Sequence, residues 1–295
     1  TFLNAGNWAS KAAPSSNTNN ILILKDAQNF PTTTNPINLN QITIESGASF
    51  IANNTVIGKT IFERNLITPI ATGNLTIDNL EGWHLISAPV NNETYDSQWA
   101  KINNIALGSG SNIGIAIYDN NTPNKFVYSN GSSKPFVPGK GYSVKRASTD
   151  NISLEGDMIV DNVDNVAITS GFNLIGNPFT AFIDTEQFLT LPVNDHLLES
   201  QQIWVWNSVT KNYEVKLSRD NPSFKIAPGQ GFFIKSNTSG NLSFKKNIRV
   251  HQTTDTFLKS IETQELTLKI TANAVQRFTK IRYLDTATGA FDNGL

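Results

Sequence analysis

Apolar and polar positions alternate along this chain in short bursts rather than long runs. Within the first 80 residues the bursts are "ILILK" (21–25), "QITIE" (41–45), "ASFIA" (48–52), "TVIG" (55–58) and "GNLTID" (73–78). Period-2 alternation bounded by Asn, Thr, Gly or Pro predicts strands. Strands this short and evenly spaced stack well as rungs, so residues 1–80 are expected to form a small β-helix-like stalk, with a sandwich as the rival arrangement.

From residue 81 the pattern repeats itself. "GWHLISAPV" (82–90) is matched by "GFNLIGNPF" (171–179), and "IAIYDNN" (115–121) by "IWVWNSV" (203–209). "FVPGKGYSVK" (136–145) is matched by "IAPGQGFFIK" (226–235), and "ISLEG" (152–156) by "LSFKK" (242–246). One order and nearly one spacing imply two copies of a β module, 81–168 and 169–251, of ordinary domain size.

Within a copy, Trp83 and Leu85 share one face of their strand while His84 and Ile86 share the other. Both faces are mostly apolar, which predicts a strand held between two layers. Pro89 and Pro178 end it, because proline cannot donate to a ladder. The Pro-Gly-x-Gly stretches at 138–141 and 228–231 predict tight reversals into the strands that follow. The segment 252–295 opens with the alternating "ELTLKITA" (265–272) and predicts the start of a further, incomplete β domain. The expected class is all-β: a short solenoid-like region, two tandem β-sandwich-like repeats and the opening of another β domain.

Composition narrows the function. Charged residues make up 16% of the chain and the net charge is −1, without a basic stripe, which argues against nucleic acid as a partner. No apolar run reaches the roughly 18 residues of a spanning helix, so no membrane span is expected. Cysteine is absent, which removes disulfides, thiolate nucleophiles and cysteine metal sites. The chain begins at "TFLNAGNW", as a mature product whose targeting segment has been removed would.

Candidate chemistry is sparse. His84, His196 and His251 fit no metal or triad motif, and His84 is replaced by Asn173 in the second copy, as a hydrogen-bonded strand polar could be. Glu93 with Asp96, Asp157 with Asp161, and Asp184 with Glu186 are the carboxylate pairs on offer; none has its counterpart in the other copy, and all are expected in turn-like stretches. The loop "YDNNTPN" (118–124) has oxygen ligands for calcium, but Asx-turns explain it more simply. The "GKG" and "GQG" turns precede strands and so do not suit phosphate. Neither metal nor cofactor is expected. Aromatics make the better case: Trp204 and Trp206 stand on one face of a strand, with Tyr213 close behind, and the first copy offers Tyr118 with Phe126 and Tyr128. Exposed, they form a platform for sugar rings; buried, they are core, which is the preferred reading.

"WHLISAPV", "PGKGYSV", "GFNLIGNPF", "APGQGFFIKS" and "TKIRYLDTATGAFDNG" together resemble large secreted proteins of Bacteroidetes exported by the type IX secretion system. Such proteins often join an N-terminal repeat region, tandem modules and a C-terminal sorting domain; this sequence stops at "FDNGL", ahead of any such domain. "DTA" (285–287) is similar to their O-glycosylation acceptor. The resemblance implies an extracellular or cell-surface location and contact with the export machinery. It also implies a structural or adhesive role without catalysis, with surface glycans or other surface proteins as further partners. The alternative is a carbohydrate-binding or accessory region of a secreted polysaccharide-degrading enzyme.

Overall fold

The computed structural model describes residues 2–66, 82–257, 265–272 and 275–282. Strands account for 44% of it and helices for 9%, in three short pieces, so the class is all-β. Two compact units divide the chain, 1–258 and 259–295, and the intervals 1–80, 81–168 and 169–251 all lie within the first.

The chain opens with β1 (Asn20–Ile23), β2 (Thr32–Thr33), β3 (Ile37–Ile44), β4 (Ile51–Ala52) and β5 (Val56–Leu66). β1, β3 and β5 form a parallel ladder in which Ile21 lies beside Ile42, which lies beside Thr60; Ile23, Ile44 and Phe62 form the next column. All six side chains are buried. β2 pairs in parallel with β4, Thr32 beside Ile51, on a second ladder. β5 runs far past the expected four residues because it is paired on both edges. Its second partner is β13, antiparallel, some 90 residues away. The "GNLTID" stretch lies outside the described residues.

The first copy contains β6 (Trp83–Ile86), β7 (Val90–Asn91), β8 (Thr94–Tyr95), α1 (Ser97–Ile102), β9 (Ile115–Tyr118), β10 (Phe126–Tyr128), β11 (Lys134–Pro135), β12 (Tyr142–Lys145) and β13 (Asp150–Met158). β14 (Val163–Ile168) closes the 81–168 interval but pairs with a strand of the second copy, which contains β15 (Gly171–Gly176), β16 (Phe182–Asp184), α2 (Thr185–Leu189), α3 (Pro192–Asp195), β17 (Gln202–Asn207), β18 (Asn212–Leu217), β19 (Lys225–Ile226), β20 (Gly231–Ser236), β21 (Gly240–Phe244) and β22 (Arg249–Val250). The sheet orders are β10-β9-β12-β6 and β18-β17-β20-β15. These are one order under the 88- to 90-residue offset, so the duplication read from the sequence is also a duplication of topology. The pairs β8-β11 and β16-β19 correspond as well. β13 takes β5 as neighbour where β21 takes β14.

The two main sheets meet through their first strands and Pro-Gly-x-Gly turns. Gly139 and Gly229 hold the positive φ these turns need, +79° and +67°. Ser87 N–H donates to the Gly229 carbonyl at 2.8 Å, and Gly176 N–H donates to the Gly139 carbonyl at 3.0 Å. Isolated bridges join Ile86 to Gln230 and Lys140 to Ile175. Each contact is the other's image under the repeat offset, so the copies are related by an approximate twofold axis, like the self-complementary interface of a dimer. Ser87 and Gly176 face each other on that axis: a Cβ on Gly176 would lie 2.4 Å from the Ser87 Cβ.

Two cores follow. One runs from Phe2 through Phe62 and the first copy to Met158, so the parallel ladder and the first copy share a single interior. The other fills the second copy around Phe188, Phe232 and Phe244. Arg64, 1% exposed, ties the ladder to the second copy. It pairs with Asp255 at 2.8 Å, donates to the Pro228 carbonyl at 2.6 Å and lies over the rings of Phe62 and Phe257. Arg249 reaches the other way, to the Ala52 carbonyl at 2.9 Å and Asn53 Oδ1 at 2.8 Å. In the second unit, β23 (Glu265–Ala272) and β24 (Val275–Arg282) pair antiparallel from Glu265↔Arg282 to Ala272↔Val275.

Candidate functional site

On one side of β17, Ile203 and Val205 are fully buried in the second core, while Trp204 and Trp206 point to the other side and are half-buried. The strand therefore lacks the two-sided interior position expected for it. The same alternation holds on the neighbouring strands. Trp83 and Leu85, Tyr118, Phe126 and Tyr128, Phe172 and Leu174, Tyr213 and Phe233 all lie on that outer side, around a small apolar cluster of Leu85, Leu174 and Phe233. Tyr128, Tyr213 and Phe172 remain 46%, 45% and 39% exposed. Trp204 packs edge-on to Phe172 at 5.2 Å, and Trp206 edge-on to Tyr213 at 5.0 Å. The Trp206 Nε1–H donates to the Trp83 carbonyl at 2.8 Å, locking a second-copy indole onto the first strand of the first copy. The three aromatics singled out from the sequence thus sit together on an open face with Tyr118, Phe126 and Tyr128, their first-copy candidates, and the sequence missed Trp83 and Phe172 as its other members. Alternation in "WHLI" and "GFNLI" carried the signal.

Equivalent positions on this face differ in size. Across the second copy one cross-strand row reads Leu174, Phe233, Trp204, Val215. The matching row of the first copy reads Leu85, Ser143, Ala116, Tyr128. Two large rings in one copy correspond to two small side chains in the other, and beside them the face is hollowed into an open groove of about 530 Å³. Trp83, Tyr128, Trp206 and Tyr213 line it, with Ser143 and Lys145. The Lys145 ammonium lies 5.6 Å from the Trp83 ring, as Lys235 lies 5.6 Å from Phe172 in the other copy. Desolvation, and then the neighbouring Tyr118, push the Tyr213 pKa up to about 12, so its hydroxyl stays neutral at ordinary pH.

The titratable candidates serve structural ends. Asp96 accepts from the backbone N–H groups of Gln98 and Trp99, both at 2.8 Å, and caps α1; Asp184 accepts from Gln187 N–H at 3.1 Å and caps α2. The two aspartates are counterparts, contrary to the expectation that no candidate carboxylate had one. Burial acts to raise the Asp184 pKa, but hydrogen bonds from Lys225, Gln187 and Ser223 hold it below the usual value. Glu186 lies in the first turn of α2. Glu93 accepts from the Thr94 and Glu155 N–H groups, Asp157 from Asn92, and Asp161 pairs with Lys246 at 3.0 Å. Asp119 closes an Asx-turn onto Asn121 N–H at 2.8 Å, and Asn120 donates to the Phe172 carbonyl, so the 118–124 loop fastens the copies together. His84 is buried and stacked on Phe257, and His196 Nδ1–H donates to the Pro192 carbonyl.

His251 is held between the hydroxyls of Thr32 and Ser49, 2.8 Å from each ring nitrogen, and desolvation lowers its pKa to about 4. Unfolded, the ring titrates near 6.5. The unfolded chain therefore binds a proton that the folded chain does not as pH falls from about 6.5 to about 4, and stability falls through that window. The loss is at most about 3 kcal/mol and smaller after solvent screening of a half-buried ring. His251→Gln should flatten the part of the denaturation midpoint's pH dependence that lies between pH 6.5 and 4; an unchanged profile would show that His251 does not cause it.

No protein-family model, no curated protein and no solved structure matches the chain.

Proposed function

We propose that this is a non-catalytic extracellular protein with an adhesive role, displayed at the cell surface after export by the type IX route. In this reading the N-terminal parallel ladder is a short β-solenoid, and the two copies are β-sandwich-like modules that present their aromatic face outward. One observation carries the adhesive part. Half-buried and exposed rings form a face continuous across both copies, where water-soluble sheets ordinarily place polar side chains. Of the candidate carboxylates, Glu93, Asp96, Asp157, Asp161 and Asp184 accept hydrogen bonds or form ion pairs, which favours a binding surface over a reaction centre. The export route and location rest on the resemblance of the duplicated motifs to secreted proteins of Bacteroidetes.

Beads coated with the purified chain test this reading. They should adhere to surfaces coated with bacterial or plant polysaccharides or with cell-surface proteins, and Phe172→Ala combined with Tyr213→Ala should reduce adhesion at least fivefold while circular dichroism stays unchanged. Absence of adhesion to every surface, or release of reducing ends from a polysaccharide by the pure chain, would overturn it. The second reading, a carbohydrate-binding or accessory region of a secreted polysaccharide-degrading enzyme, is favoured by the aromatic walls of the groove.

A further inference from the structure

We infer that the outer edge of β1 is a strand-accepting site, to which an extended peptide segment with apolar side chains at alternate positions adds as a further parallel rung of the N-terminal ladder. The site is separate from the aromatic face and does not depend on the adhesive reading.

The two parallel ladders end differently. On the second, the Pro31 and Thr33 carbonyls face β4 and accept from the Ile51 and Asn53 N–H groups at 3.1 and 2.9 Å. The Thr32 carbonyl faces the other way and is taken by the Phe2 N–H at 3.5 Å, so a residue already stands one rung beyond β2. On the first ladder, the Asn19 and Ile23 carbonyls face β3 and accept from the Asn40 and Glu45 N–H groups at 2.9 and 3.1 Å. Alternation turns the backbone groups of Asn20 and Leu22 the other way, and among the described residues none bonds to those of Leu22. One ladder thus carries a rung where the other carries none.

A groove of about 820 Å³ runs along β1 at this place, between Ile21–Leu24 and the segment 7–16, with Phe2 and Trp8 among its walls. Its lining names the occupant. A row of edge N–H and carbonyl groups is what an extended main chain bonds, and a sugar or a lipid has no matching repeat. The inward columns Ile21, Ile42, Thr60 and Ile23, Ile44, Phe62 ask for apolar side chains two positions apart. Asn20 accepts from the Asn40 side chain at 2.7 Å, so a side-chain amide in the incoming strand would extend that stack. Edges closed to other chains are ordinarily guarded by charge. Here Lys11 is the only charged residue among the first 24, and the Leu22 and Leu24 side chains are exposed.

The test uses the full chain and a fluorescein-labelled synthetic peptide, LNQITIE, the sequence of residues 39–45, which already pairs in parallel with β1 from its inner side. The peptide should bind saturably by fluorescence anisotropy and slow hydrogen exchange of the Leu22 amide at least tenfold. A peptide with aspartate at both isoleucine positions should bind at least tenfold more weakly. In the added strand the N–H of the second isoleucine points at β1 and that of the threonine points to solvent. N-methylation of that isoleucine should therefore abolish binding, and N-methylation of the threonine should leave it within twofold. Leu22→Pro should weaken binding at least tenfold at an unchanged melting temperature, since an edge strand tolerates proline where its N–H faces outward. Should Leu22→Pro fail to fold, the two N-methylated peptides decide the matter. The inference is overturned by absence of saturable binding, by unchanged Leu22 exchange in the presence of bound peptide, by equal effects of the two N-methylations, or by folded Leu22→Pro binding as tightly as the unaltered chain. A stable dimer of the chain with the Leu22 amide already protected would assign the edge to a second copy and likewise overturn it.

Discussion

Replacing Arg64 by alanine should lower the unfolding free energy by about 3–5 kcal/mol, the usual cost of removing one partner from a buried ion pair. The guanidinium makes several attachments at once: the ion pair with Asp255, the hydrogen bond to Pro228 and the stacking on Phe62 and Phe257. These belong to three distant parts of the chain, the parallel ladder, the second copy's Pro-Gly-x-Gly turn and the segment that follows it. At roughly 2–4 °C per kcal/mol for a unit of this size, the melting temperature should drop by about 6–20 °C. Arg64→Lys keeps the charge but not the fork that reaches Pro228 and Asp255 together, so it should fall between the two. A drop below about 2 °C for Arg64→Ala would show that the pair barely repays the desolvation of its charges.

Arg64 also shows what the sequence could and could not reveal. "ERNL" sits at the end of an alternating run, and alternation places Phe62, Arg64 and Leu66 on the buried side of β5. That an arginine should sit among them depends on Asp255, 191 positions later, and no local pattern carries that pairing. The same holds for β5 itself. Its strand character is legible in "TVIG", but its length follows from β13, because a strand paired on both edges has reason to continue where a rim strand does not. The repeat was legible because it preserves residue types at fixed spacing, and the matching sheet order follows from it. The Asp96 and Asp184 caps were missed because their flanks differ, Tyr95 against Ile183 and Trp99 against Gln187. The shared signal was only an aspartate followed by Ser97 or Thr185, an N-cap pattern. For Trp204 and Trp206, alternation gave the face correctly. Which face is covered depends on where the rest of the chain packs, and that is a tertiary fact.

The approximate twofold between the copies yields the sharpest experiment. Gly176→Ser should destabilise the protein by about 1–3 kcal/mol, as overpacking of a filled interior does, and lower the melting temperature by roughly 2–12 °C. The obstacle is space and not backbone conformation: the added Cβ would lie 2.4 Å from the Ser87 Cβ and 2.7 Å from its Oγ. Ser87→Gly alone should also cost stability, because the Ser87 hydroxyl donates to the Asn177 carbonyl at 2.6 Å in a fully buried place. In the double substitution Ser87→Gly with Gly176→Ser, the two positions exchange occupants across the axis. The introduced hydroxyl would then face the carbonyl of Ala88, the counterpart of Asn177, and the clash with the Ser87 side chain would be gone, leaving the Gln230 carbonyl 3.0 Å from the new Cβ. The double variant should accordingly be more stable than Gly176→Ser and sit closer to the original protein than the sum of the single effects. The coupling should be about 1–3 kcal/mol, measured by a double-mutant cycle in denaturant. Strict additivity would mean that Ser87 and Gly176 do not share one space, and the twofold exchange at the centre of the fold would have to be abandoned. A favourable coupling would explain why "GWHLISAPV" and "GFNLIGNPF" agree at Gly, Leu, Ile and Pro yet differ at Ser87 and Gly176. Near a twofold axis two equal side chains must occupy one space, so one copy keeps the side chain and the other gives it up.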